Sequence, residues 1–386
     1  MRASSKGLVR FCQVGYFIVG TIVIIFPPLM PNIIAHFGLS LASAGLAFPA
    51  KALGSFIGSM FSGVSSDLLG RKPLLVTSAL LQAAGLGLAA LAGSWPVFLL
   101  GFAIMGASQG AVSTTINALM SDLHQENRAK ALNLLHGIYS TGAALSPLLI
   151  ALVLGLGRDW RVIFAGSALV WLAFGLAALL FNYPKKGATV AKRQLLSVEF
   201  LKNSVALSLF AVAFIYNGVA WVLLGWVNMY LQESGGVPAF LATSMISLFY
   251  VGLTLGRFVC ASVADRVGYA KTILILSIGA VVSFPLVILG RHPLVITFSV
   301  ALSGLFFSGL YPTALAYANN LFPALAGTVA ATMSLAMTLG TMIPPWWTGI
   351  IADRWSFKVA VGMNYLLILP LLWIAWRLLR VEKGRQ

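Results

Sequence analysis

Residues 41–63 read LASAGLAFPAKALGSFIGSMFSG, an apolar run with one charge, Lys51, near its middle. About 15 Å of helix would extend on either side of that lysine. An ammonium at such a depth in a bilayer costs roughly 3 kcal/mol or more unless it faces protein or water. The helical register decides between lipid and interior. Ala44, Ala47, Ser55, Gly58 and Ser62 share the face of Lys51, whereas Phe56, Ile57, Met60 and Phe61 lie elsewhere. Small residues suit contact between helices and bulky ones suit lipid. Lys51 therefore points inward, and the chain is expected to enclose a polar space within a membrane.

The rest of the chain has the same character. Of its 386 residues, 59% are hydrophobic and only 9% charged, against about 25% charged in soluble domains. Twelve apolar runs cover 11–35, 41–63, 73–92, 96–119, 131–156, 162–182, 203–231, 239–262, 271–290, 294–318, 326–350 and 357–378. Each is long enough to span a bilayer as a helix, and their Leu and Ala content disfavours barrel strands. The expected class is an all-α integral membrane protein with twelve transmembrane helices. The first run is too long for a cleaved leader and is expected to remain as an anchor.

The net charge of +16 does not mark a nucleic-acid partner, because it is sorted by side. With an inside N-terminus, 18 of the 25 Lys and Arg fall in cytoplasmic segments, and five (Arg158, Arg161, Arg291, Arg354, Lys358) fall outside. This positive-inside bias places both termini in the cytoplasm of a multi-pass protein of the cell inner (plasma) membrane, with the lipid bilayer as its surroundings. Cys12 and Cys260 both lie within spans, so neither a disulfide framework nor a metal site is expected, and no cofactor is implied.

The longest polar stretch, PKKGATVAKRQLLSVEFLK (184–202), divides the chain nearly in half. An ungapped shift of 198 positions superposes Gly20 on Gly218, Gly38 on Gly236, Gly54 on Gly252 and Gly58 on Gly256. It also superposes Gly70 on Gly268, Gly106 on Gly304, Gly142 on Gly340, Asp67 on Asp265 and Pro147 on Pro345. With 21 glycines in the first half and 17 in the second, chance supplies roughly two such glycine matches, so seven indicate a repeat. The expected organisation is a six-helix bundle over 1–184, a cytoplasmic linker over 185–202 and a second, pseudo-symmetric six-helix bundle over 203–386 with a short tail. Two bundles related by an axis along the membrane normal are a transporter plan, with the solute site between them.

Between the second and third spans the chain reads GVSSDLLGRKPLL, carrying Gly63, Asp67, Gly70, Arg71 and Lys72. Asp67 falls at a helix end where its charge can meet a cation or a neighbouring helix N-terminus. Gly70 permits the tight turn, and Arg71 with Lys72 supplies inside charge. SVADRVG (262–268) repeats the pattern with Asp265, Arg266 and Gly268. A basic turn would account for Arg71 and Lys72 alone; it leaves the duplicated Asp-x-x-Gly unexplained. The pair resembles the signature loop of the major facilitator superfamily, and that resemblance implies a role in conformational switching rather than in solute choice.

Four further segments resemble the fucose/glucose permease branch of that superfamily. They are NALMSDLHQENRAKALNLLHGIYSTGAALSPLL (117–149), FIYNGVAWVLLGWVNMYL (214–231), FYVGLTLGRFV (249–259) and GLYPTALAY (309–317). The resemblance implies a secondary transporter of a sugar or similar small polar solute. The chain departs from the branch in two places. Ala220 stands where an acid is common in the seventh helix, and Ser113 stands where fucose-type proton symporters carry a carboxylate in the fourth. All nine acids fall at helix ends, in loops or in tails.

Cation coupling usually needs a carboxylate within the membrane. Its absence leaves His136, at the start of the fifth span, as the remaining titratable candidate for coupling, unless it is a structural hydrogen-bonder. Arg257 is a candidate gate or a structural arginine near a helix end. Together with Lys51 it would suit an anionic solute. The candidate solute-binding set is Lys51, Gln109, Asn117, Tyr139, Tyr216, Asn217, Trp221 and Tyr311, since aromatic planes beside amides pair apolar faces with hydroxyls. Trp226 and Tyr230, near the outer end, fit interfacial anchoring in part. Pro27-Pro28, Pro312 and Pro344-Pro345 are expected to bend or break their helices.

The expected activity is alternating-access transport of a small sugar-like solute or organic anion by a monomer. Efflux of drugs or metabolites is the alternative. A non-transporting membrane sensor would usually need an added soluble domain, for which the loops are too short. No nucleophile–base pair or metal cluster points to an enzyme.

Overall fold

The computed structural model describes residues 3–184, 202–290 and 292–383. The expected linker, 185–202, lies outside the described residues except for Lys202. Among the described residues there are helices and no strands. The chain separates into two compact units, residues 1–39 with 46–191, and residues 40–45 with 192–386.

The first unit is built from α1 (Ala3–Val23), α2 (Phe26–Phe37), α4 (Ala47–Leu69), α5 (Arg71–Ala90), α6 (Trp95–Leu123), α7 (Arg128–Gly155) and α8 (Trp160–Ala178). The short α3 (Leu41–Gly45) packs in the second unit. With it stand α9 (Ser204–Gly235), α10 (Ala239–Val267), α11 (Tyr269–Leu289), α12 (Pro293–Phe307), α13 (Leu310–Leu321), α14 (Ala326–Arg354), α15 (Phe357–Met363) and α16 (Tyr365–Lys383). Joining α1 to α2, α3 to α4, α12 to α13 and α15 to α16 gives twelve membrane crossings. Eleven are plainly long and apolar enough. The twelfth, α14, is diluted by threonines and by Pro344-Pro345 but runs unbroken for 29 residues. The fold is that of an all-α membrane protein with two six-helix bundles.

Prolines set three of the four interruptions, because each removes the donor for the carbonyl four residues earlier. Pro27 and Pro28 release the carbonyls of Val23 and Ile24, and α1 ends at Val23. Pro49 releases Gly45, the last residue of α3. Pro312 releases Ser308, where α12 gives way to α13. In α14 the prolines leave the helix continuous.

The internal repeat is visible in the packing. The main contacts of the first unit pair α4 with α6, α5 with α6, α5 with α8 and α1 with α7. Those of the second pair α10 with α12, α11 with α12, α11 with α16 and α9 with α14, the same four pairings shifted by one half. Gly106 and Gly304 show why the glycines coincide. A methyl group at Gly106 would lie 2.3 Å from the Lys51 carbonyl, and one at Gly304 2.2 Å from that of Phe249, 198 residues on. Gly70 and Gly268 match as turns, with φ of +90° and +96°, a region that side chains other than hydrogen strongly disfavour.

Side chains close several helix ends. In the second unit, the Asp353 carboxylate at the end of α14 accepts the Leu41 and Ala42 N–H groups at 2.8 and 2.7 Å. Trp226 and Tyr230 depart from the anchoring role that their sequence positions suggest. Trp226 is fully buried and donates to the Pro345 carbonyl, and buried Tyr230 donates to that of Ile288. Proline and helix-end carbonyls inside the bundle outcompete the lipid headgroups for these donors.

Candidate functional site

In the first unit a polar group gathers where α1, α6 and α7 meet. Asn117 of α6 donates from Nδ2 to the Tyr16 hydroxyl at 2.7 Å, and also to the Ser113 carbonyl one turn earlier at 2.8 Å. Tyr16 of α1 is buried, with His136 of α7 edge-on to its ring at 5.3 Å and Tyr139 tilted against it at 5.6 Å. The Tyr16 oxygen already accepts from an amide, so its own proton remains for an acceptor oxygen. His136 is exposed and Tyr139 and Asn117 half-buried, so the group offers a phenol ring, an imidazole and an amide oxygen at an accessible surface, with buried Tyr16 behind them. Buried Gln109 stands on α6 two turns before Asn117, on the same face.

Lys51 is 8% exposed, whereas Ile57, Met60 and Phe61 on its helix are 42, 45 and 69% exposed. It points into the first unit, as the small-residue face requires. Its Nζ donates to the Val23 carbonyl and stands 5.7 Å from the centre of the Phe102 ring.

The second unit holds another aromatic group. Buried Tyr216 of α9 lies 6.2 Å from the Phe307 ring, which Phe249 of α10 joins at 6.4 Å, with buried Tyr250 6.3 Å from Phe249; Tyr311 on α13 is half-buried. Arg257, two turns along α10 from Tyr250, has an exposed side chain. Asn217 donates to the Met337 carbonyl and, at 2.6 Å, to the Thr341 hydroxyl, both on α14. That pairing occupies its amide in joining α9 to α14. Trp221 is half-buried on the same helix. Asn228 accepts from Gln232 and Thr243 and is part of the packing.

Tyr16 and Tyr250 are the functional candidates that sequence reasoning misses. A lone tyrosine in an apolar run carries one usable signal, a hydroxyl that needs a partner when buried.

The loop motif is partly described. The side chains of Asp67 and Asp265 lie outside the described residues. Arg71 pairs through Nε with Asp122 at the end of α6, at 3.1 Å. Lys72 caps the end of α8 through the carbonyls of Leu179 and Phe181 at 2.7 and 3.2 Å. Tyr183 lies beside that cation and donates to the Ala178 carbonyl. Burial pushes its phenol above the ordinary range, with Cys12 adding to the effect, so it stays a neutral donor. Arg266 is exposed. Among the described residues, no three His, Cys, Asp or Glu side chains group as metal ligands.

Twelve crossings in two matched bundles, with polar groups buried at membrane depth, define a secondary membrane transporter for a small solute. The chain belongs to the Major Facilitator Superfamily, whose sequence pattern matches residues 14–289 and 236–386. It is similar to the multidrug resistance protein MdtL of Salmonella schwarzengrund, 24% identical with 88% of each chain covered. It is also similar to the sodium-dependent glucose transporter 1A of Mus musculus, 23% identical with 87% of each covered. Among solved structures, a bacterial homolog of the human lysosomal transporter Spinster, inward-facing and occupied, superposes with a TM-score of 0.85 at 14% identity over 98% of each chain. The nucleoside transporter NupG superposes with a TM-score of 0.80 at 13% identity, over 96% of this chain and 99% of that one.

Proposed function

We propose that this transporter carries a small hydroxyl-bearing solute, a sugar or nucleoside in size and polarity, as a monomer of the plasma membrane with cytoplasmic termini. The observation that carries the reading is the Tyr16–Asn117–His136–Tyr139 group, which joins ring faces to the Asn117 amide oxygen and the Tyr16 hydroxyl proton, both Asn117 N–H groups being donated to Tyr16 and Ser113. Such a lining pairs the apolar face of a sugar ring with its hydroxyls. The printed names of the glucose and nucleoside transporters are in keeping with it. The chain is read as a relative of the fucose/glucose permease branch in which Ser113 and Ala220 replace the acids. Without those acids, facilitated diffusion or exchange fits better than proton symport.

Efflux is the second reading, favoured by the similarity to MdtL. Thermal stabilisation of the purified protein separates the two. Hexoses, pentoses, nucleosides, a sugar acid and a cationic dye are each titrated against the native protein and against Asn117→Ala. Saturable stabilisation by one hydroxyl-bearing class, lost in Asn117→Ala, is the expected result. Stabilisation by the dye alone transfers the assignment to efflux.

A further inference from the structure

Lys51 does more than avoid lipid. The carbonyl that it meets, that of Val23, is the one whose helical donor Pro27 removes, since the missing N–H stands four residues downstream. At this point α1 stops. The Ile25 N–H turns back to Ile22 at 3.3 Å, a tighter closure than the helix uses, and α2 begins at Phe26. A bare carbonyl at membrane depth is costly, and a neighbouring side chain is a way to satisfy it.

Everything around the lysine fixes its reach. Its own backbone is pressed against α6, because Gly106 leaves room for only a hydrogen beside the Lys51 carbonyl. The Phe102 ring of α6 lies by the ammonium. Phe26, the first residue after the break, packs against Phe48, Phe98 and Phe102 at 5.8, 6.2 and 5.2 Å. Tyr16 stands two turns before Val23 on α1, so the end of α1 that Lys51 holds is also the end that sets where Tyr16 meets Asn117.

We propose that Lys51 is a positioning residue: its ammonium replaces the N–H that Pro27 lacks, fixing the end of α1 and so the placement of Tyr16. The role is separate from solute contact and stands whichever solute is carried. If it is right, returning a backbone N–H at residue 27 makes the ammonium dispensable.

The test compares Lys51→Met, Lys51→Arg and the double variant Lys51→Met with Pro27→Ala, using the full chain in detergent and in proteoliposomes. Thermal unfolding and solute exchange are measured on each. Lys51→Met is expected to shift the unfolding equilibrium by about tenfold or more, as loss of a charged donor to a buried carbonyl does, and to slow exchange. Lys51→Arg retains most of both. The double variant recovers the unfolding midpoint and the exchange rate. Lys51→Met that behaves as the native protein overturns the proposal, as does a double variant no better than the single. A double variant that regains the midpoint but not exchange assigns Lys51 to the solute and overturns the positioning role. Should Lys51→Met fail to accumulate in the membrane, recovery of folded protein in the double variant supports the proposal and its absence overturns it.

Discussion

Asn117 ties α6 to α1 through the Tyr16 hydroxyl, so its loss strips both a donor and the alignment of a ring. Asn117→Ala is expected to weaken solute binding by about tenfold or more, and Tyr16→Phe by somewhat less, since Tyr16→Phe keeps the ring. Equilibrium binding with the solute found by thermal stabilisation checks both. Gln82 makes the opposite case: it is wholly buried in α5, and neither its amide nitrogen nor its oxygen has a partner among the described residues. Gln82→Leu is therefore expected to raise the unfolding midpoint, because it relieves a desolvated amide of nearly the same volume. The sequence carries Asn117 and Tyr139 plainly, as polar groups in a run that resembles a sugar-permease branch. Tyr16 escapes it, because a tyrosine in an apolar run fits an interfacial belt equally well and only the fold supplies Asn117 as its partner. Asn217 is legible as a buried amide, yet its partners on α14 lie 120 and 124 residues away.

Among the elements, the crossings of α4 with α6 and α10 with α12 depend on hydrogen at residues 106 and 304. Gly106→Val and Gly304→Val are each expected to abolish accumulation of folded protein, since the facing backbone cannot move aside. Gly87→Ala on α5 meets no atom within 4 Å and is expected to be tolerated. Size-exclusion profiles of the solubilised variants compare the three. The start of α3 offers a gentler perturbation. Asp353→Ala removes the acceptor for two amides, and hydrogen exchange at Leu41 and Ala42 is expected to quicken by about fivefold or more. Helix length and the glycine repeat are readable without coordinates because both follow from period and spacing. The Arg71–Asp122 pair is not, because opposite charges 51 residues apart leave no trace in local pattern.

At the level of the whole molecule, charge placement bears on energetics of transport. The nine acids fall outside the middles of the spans, so movement of the solute is expected to proceed at the same rate with and without a pH gradient across proteoliposomes. Strict dependence on the gradient would instead require a protonatable carrier within the bundles, with His136 the first to replace. Fold class and twofold repetition are legible in the sequence because composition and an ungapped shift record them directly. The substrate is not, since a few side chains among 386 residues choose it and their meeting depends on which helices become neighbours.

The two halves repeat their crossings but not their stiffness. The register of Pro27-Pro28 is filled in the second half by Gly225 and Trp226, both of which keep a backbone N–H. Accordingly α9 runs 32 residues without interruption, where the matching crossing parts at Ile24–Ile25. One copy is jointed and the other is a rod. In this pair of crossings a bend is mechanically available to the first copy, whereas between α6 and its counterpart the break falls in the second half, at α12–α13. The duplicated scaffold thus carries its joints in different helices.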